Sequence, residues 1–167
     1  MGVTKEQLQD GRILTYLIQQ FIKEPKNENL MQVFRCLRNS DVWVPMNMKI
    51  GKADQERFEQ SKSGEIITTE EGIQLKAKLV QGTEGVPYLP VFSRKDQIPK
   101  QFQERCSIVH LSFLDCIQLV RHLSAPSEIV LNGYTNGKSI KLDQQYLEAI
   151  EQLPSELVEE KEEHSAQ

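Results

Sequence analysis

Three cysteines, nine glycines and a single tryptophan in 167 residues leave several chemistries without material. Cys36, Cys106 and Cys116 are an odd count with no paired spacing, so a disulfide framework is excluded and reduced thiols in a cytosolic protein are expected. The glycines are scattered, and neither G-x-G-x-x-G nor G-x-x-x-x-G-K follows a strand, which removes the backbone cradle that nucleotide phosphates need. No apolar run approaches the roughly 18 residues of a membrane span. The start "MGVTKEQLQDGR" has neither the basic nor the apolar region of a secretory signal. Gly2 invites myristoylation, but Glu6 stands where that motif wants Ser or Thr. A cytoplasmic protein is the expectation.

Positive charge is also short. The net charge is −4, and Glu156 to Glu163 alone supply it, with five Glu against one Lys. The remaining body is close to neutral and has no basic field for phosphates, so nucleic acid is not an expected partner. The acidic end, 154–167, reads as a solvated tail.

What is present is periodicity. Leu14, Leu17, Ile18, Phe21 and Ile22 form a helical stripe within 4–23, capped by Thr4 and stopped by Pro25. Leu30, Val33, Phe34 and Leu37 form a second, with Asn29 and Gln32 spaced for a capping box. "DVWVPMNM" reads as a strand, with Pro45 suggesting an edge, a bulge or an end. Residues 49–64 are polar and read as a mobile loop. Ile73 to Phe92 reads as a hairpin turning at Gly82 and Gly85, although Pro90 sits in a strand apolar on both faces. "CSIVHLSFLDCIQLVRHLSAPSEIVLN" has the shape of a βαβ unit with its helix capped by Ser112. Asn136-Gly137 predicts a tight turn, and Asp143 caps a last helix. The fold class is α/β (α+β): a mixed sheet with a hairpin and a βαβ unit, flanked by helices.

Candidates for chemistry are few. Ser93 follows an apolar strand, but its neighbours Phe92, Arg94 and Lys95 deny it the small residues of a nucleophile elbow. Ser93 to Asp96 fits S-x-x-D, so the hydroxyl is expected to cap a short helix. Cys106, His110, Cys116 and His122 carry zinc-ligand types at spacings that suit no closed site, and Cys106 near His110 lacks a third orienting group. Trp43, Phe92 and Tyr134 are expected in the core rather than in a ligand groove. No catalytic, metal or cofactor residue is predicted. The stripe on the first helix must be buried, either on its own sheet or against a partner or second copy through residues 4–23.

Taken in order, "LMQVFRCLRNSDVWVPM", "YLPVFSRKDQ" and "IVLNGYTNGKSIKLD" resemble the N-terminal domain of the SseB family, named for enhanced serine sensitivity. The resemblance covers about Leu30 to Leu142, with Gly133 where the family often has proline. It implies a mixed α/β domain of undefined biochemical activity and supplies no catalytic residues. The first helix and the tail lie outside it, and the expected division is an N-terminal amphipathic helix over 1–26, an SseB-like domain over 27–153 and the acidic tail over 154–167. The expected function is a non-catalytic interaction or ligand-binding domain. Its contact surface is expected at Ser93, Arg94, Asp96 and Asn132, with Leu14, Leu17 and Phe21 of the first helix. A secretion-type chaperone holding a client segment, and a hydrolase or thiol enzyme using Ser93 or Cys106, are the alternatives.

Overall fold

The structure is a computed structural model that describes residues 3–50, 73–82, 85–123, 127–133 and 139–157. Three helices come first: α1, Lys5–Leu8; α2, Arg12–Lys23; and α3, Asn27–Asn39. The expected cap at Thr4 is present and is part of a capping box, its hydroxyl accepting from the Gln7 amide while the Gln7 side chain accepts from the Thr4 amide. The single helix expected over 4–23 is two, because Gly11 adopts φ +80° and breaks it. Helix α3 starts two residues before Asn29, which donates instead to the Glu24 carbonyl, so the box expected there does not form.

Strand β1, Asp41–Ile50, lies between β2, Ile73–Ala77, and β5, Ser107–Ser112, both antiparallel to it. A second sheet has the order β3, β4, β6, β7, with β3 at Val80–Gln81, β4 at Pro87–Val91, β6 at Glu128–Leu131 and β7 at Ile140–Leu142. Between β4 and β5 come a one-turn 3-10 segment, Lys95–Gln97, and helix α4, Lys100–Arg105. Helix α5, Phe113–Arg121, follows β5, and α6, Gln144–Gln152, follows β7. Both carry their expected caps, Ser112 accepting from the Asp115 amide and Asp143 from the Tyr146 amide.

Two pairings differ from expectation. The run expected as one hairpin changes sheets midway: β2 pairs with β1, and only Val80–Gln81 turn back on β4. The expected βαβ unit is also rearranged. Strands β5 and β6 lie in different sheets, and the parallel pair is β4 with β6. An alternating pattern reports that a strand has a buried face; it does not say which strand lies beside it.

Both prolines in strands follow from where the sheets part. Trp43 and Phe92 exchange both backbone hydrogen bonds (2.8 and 2.9 Å), and the Pro45 carbonyl accepts from Lys78. Odd-numbered residues of β1 therefore turn their polar groups toward β4 at one end and β2 at the other. Pro45 falls where one neighbour gives way to the next. By the same two-residue alternation Pro90 faces the side of Phe92, past the last β3 pair at Tyr88. Each missing N–H points into the seam, where the ladder is already interrupted.

The main core joins α1, α2, α3, α5 and α6 to both sheets through Leu8, Leu14, Ile18, Leu37, Val44 and Leu131, among others. Leu14 and Ile18 are buried within it, so the stripe on α2 is spent inside the chain, and helix and sheet share one core rather than dividing near residue 26. A smaller cluster of Phe92, Ile98 and Phe102, with Trp43 and Ile108 against it, covers the other face of β1. Of the loop expected over 49–64, Lys49 and Ile50 belong instead to β1, where they pair with Gln74 and Ile73; residues 51–64, the Asn136-Gly137 turn and the acidic tail beyond Leu157 lie outside the described residues. Residues 154–157 do pack back: Ser155 donates to the Asn39 side chain, and Leu157 bridges to Val3.

Candidate functional site

In open sheets with parallel strands, ligands commonly enter the crevice beyond the strands' carboxyl ends. Here that position lies after Val91 and Leu131, where Ser93 and Asn132 stand, and the chain fills it with its own groups. The Asn132 amide donates to the Val91 carbonyl (2.8 Å), prolonging the parallel ladder by one rung. Its side chain then accepts from the Ser93 amide and donates to the Ser93 hydroxyl, both at 2.9 Å. Asn132 holds φ +55°, a left-handed conformation that asparagine tolerates better than most residues.

Helix α2 closes the cluster from the other side. Thr15 Oγ1 donates to the Gly11 carbonyl at 2.8 Å and lies 2.7 Å from Ser93 Oγ. A hydroxyl has one hydrogen, so the Thr15 proton is committed and Ser93 is the donor in that pair. Gly11 is required here twice over: by its positive φ, and because a Cβ would lie 1.8 Å from the Ser93 carbonyl oxygen.

Ser93 is therefore not a helix cap, which corrects the sequence expectation. The 3-10 segment is led by Arg94 with no side-chain cap. The Ser93 hydroxyl is fully buried, and its partners are a threonine hydroxyl and a carboxamide, neither of which is a base. Leu14, Ser93 and Asn132 lie inside the molecule and offer no contact surface. Leu17 and Phe21 are half-buried against the core. Arg94 and Asp96 are at the surface and pair with each other at 3.0 Å. Beside them Asp10 accepts from the Arg12 amide and guanidinium, which hold its carboxyl below the ordinary carboxylate range.

The thiols and imidazoles do not converge. Cys36 and Cys116 are buried, and burial pushes both thiols up. Cys106 Sγ lies 4.0 Å from Asn47 Oδ1. His110 stacks on Trp43 with ring centroids 4.0 Å apart, and His122 Nδ1 meets the Gln118 carbonyl at 2.7 Å. Among the described residues no three His, Cys, Asp or Glu side chains are grouped to hold a metal ion. No helix among them is long and apolar enough to cross a membrane.

The open places lie on β5 and around its start. Odd-numbered β1 residues face β2 and β4, so Val42, Val44 and Met46 turn their polar groups to Leu111, Val109 and Ser107. The alternate groups, the N–H and C=O of Ile108 and His110, point away from β1. Among the described residues β5 has no neighbour on that side. Below this edge lies a groove of about 420 Å³, walled by Met46, Val109 and Leu111, by Asp115, Gln118 and Leu119 of α5, and by His122 just past that helix. On the opposite face of the sheet, a cavity of about 330 Å³ is lined by Asn47, Lys78, Gln101, Phe102, Arg105 and Cys106. The only advance signal of the groove is that "SIVHLS" carries apolar residues on both faces. Nothing in the sequence marks the cavity, because Lys78 and Arg105 come from distant elements.

No curated protein and no solved structure matches the chain. The family model described as SseB protein N-terminal domain matches residues 14–149, which begins inside α2 and so extends past the Leu30–Leu142 stretch legible in the motifs. The chain belongs to the SseB N-terminal-domain family.

Proposed function

We propose that the domain is a protein-interaction module that takes an extended, apolar-alternating segment of a partner as an added strand on β5. The observation that carries this reading is the outward N–H and C=O of Ile108 and His110, set along an apolar groove. Strand addition supplies the missing ladder, and pockets for alternate side chains supply selectivity. A segment paired outside β5 would hang every second side chain over Val109, Leu111 and Leu119. Long unpaired edges are normally protected by charge or proline, and no residue from Ser107 to Ser112 is either. The partner surface is thus moved from the first helix, whose Leu14 and Ile18 the chain itself consumes, to the edge of β5.

The test is selection of peptides from a phage-displayed random library on the full chain, followed by amide hydrogen exchange with a selected peptide. The expected peptides alternate apolar and polar residues, slow the exchange of the Ile108 and His110 amides, and no longer bind Val109→Lys. Selected peptides that leave those two amides unchanged overturn the reading. So does a concentration-dependent dimer that already protects both amides in the free chain, because the edge then belongs to a second copy.

A further inference from the structure

The cavity on the opposite face of β1 has a composition unlike the rest of the molecule. Lys78 and Arg105 both line it, no carboxylate among the described residues does, and the chain as a whole carries a charge of −4. Several cations elsewhere are matched: Lys5, Arg94 and Lys141 each reach an acidic side chain. Among the described residues neither Lys78 nor Arg105 does. Two like charges facing one concave space repel each other, and an anion between them removes that cost.

The remaining walls favour the same class of ligand. Asn47 Oδ1 is turned to the Cys106 thiol, which leaves its Nδ2 as a donor, and Gln101 adds a second amide. Phe102 is buried, with its ring 6.2 Å from that of Phe92, and forms an apolar floor. A volume of about 330 Å³ lies within the range of small-molecule clefts, roughly 300–1,000 Å³. We propose that Lys78 and Arg105 bind the oxyanion of a small phosphate ester whose apolar part rests on Phe102. The guanidinium takes two oxygens in its planar fork, and the lysine acts as a point charge. This ligand site is independent of strand addition at β5, since Asn47 and Met46 point to opposite faces of the sheet.

The experiment is a two-dimensional amide NMR titration of the full chain with phenyl phosphate and, separately, with inorganic phosphate. Saturable shifts are expected at Asn47, Lys78, Phe102 and Cys106, with phenyl phosphate binding more tightly than inorganic phosphate. The double variant Lys78→Gln, Arg105→Gln should weaken binding at least about tenfold, the scale of one lost charge-assisted contact. Lys76→Gln, an exposed lysine outside the cavity, should leave it unchanged. Shifts that do not saturate, shifts equally strong in the double variant, or equal affinity for the two phosphates overturn the proposal.

Discussion

Ser93 and Asn132 carry more of the fold than any surface residue near them. Each of their polar groups in the cluster has a partner, and the cluster joins α2 to the ends of β4 and β6. Ser93→Ala removes the buried hydroxyl that accepts from Asn132 Nδ2 and meets Thr15 Oγ1, and about 1–3 kcal/mol of stability should be lost in urea unfolding. Asn132→Gly keeps the left-handed backbone but strands the Ser93 amide. The two changes together should cost less than their sum, because they remove one shared network. Gly11→Ala should be worse than the ~1–2 kcal/mol of left-handed strain alone, since its methyl group meets the Ser93 carbonyl. None of this was legible beforehand. The i to i+3 spacing that suggested a cap at Ser93 is real, but a buried tertiary partner outcompeted the local amide of Asp96. The caps at Thr4, Ser112 and Asp143 were legible because nothing buried competes for them. The thiols give a second residue-scale result. Iodoacetamide at neutral pH should label half-buried Cys106 in the folded chain, and Cys36 and Cys116 only on unfolding. Burial keeps those two protonated when folded, whereas unfolded thiols ionise above their ordinary value of 9.0. Their contribution is therefore full below that pH and falls as pH rises beyond it.

At the scale of elements, alternation along the strands does most of the explaining. It places Pro45 and Pro90 in the seam between the sheets, a position the sequence suggested only as an edge or a bulge. It also separates the two kinds of residue in β5. Ile108→Pro removes an N–H that no other described strand accepts, so the ladder to β1 should survive it. Val109→Pro removes one that Val44 accepts and should destabilise far more in thermal unfolding. Equal losses in the two variants would mean that the outward side of β5 is already paired. The existence and type of these strands could be read from periodicity; their neighbours could not. Residues 73–81 satisfy two partners in turn, and a run of alternating residues contains no mark for the point at which it changes sheets.

Across the whole molecule, the N-terminal helices and the sheets behave as one body. Leu8, Leu14 and Ile18 fill the same core as Val44 and Leu131, and residues 154–157 return to α3 and to Val3. A chain lacking residues 1–26 should therefore lose its cooperative thermal transition rather than yield a folded domain of 27–167. A sharp transition and dispersed NMR spectrum from that fragment would restore the two-part division. The mixed α/β class was plain from the sequence because it depends only on which elements exist. The closure of the strand-end crevice was hidden, because it needs Gly11, Thr15, Ser93 and Asn132 at once. The account rests on that crevice being shut by the chain itself while β5 stays open. Residue-by-residue amide hydrogen exchange on the free full-length chain tests both halves together. It should find Ser93, Asn132, Val109 and Leu111 slow, and Ile108 and His110 fast; slow exchange at Ile108 and His110, or fast exchange at Ser93 and Asn132, would contradict it.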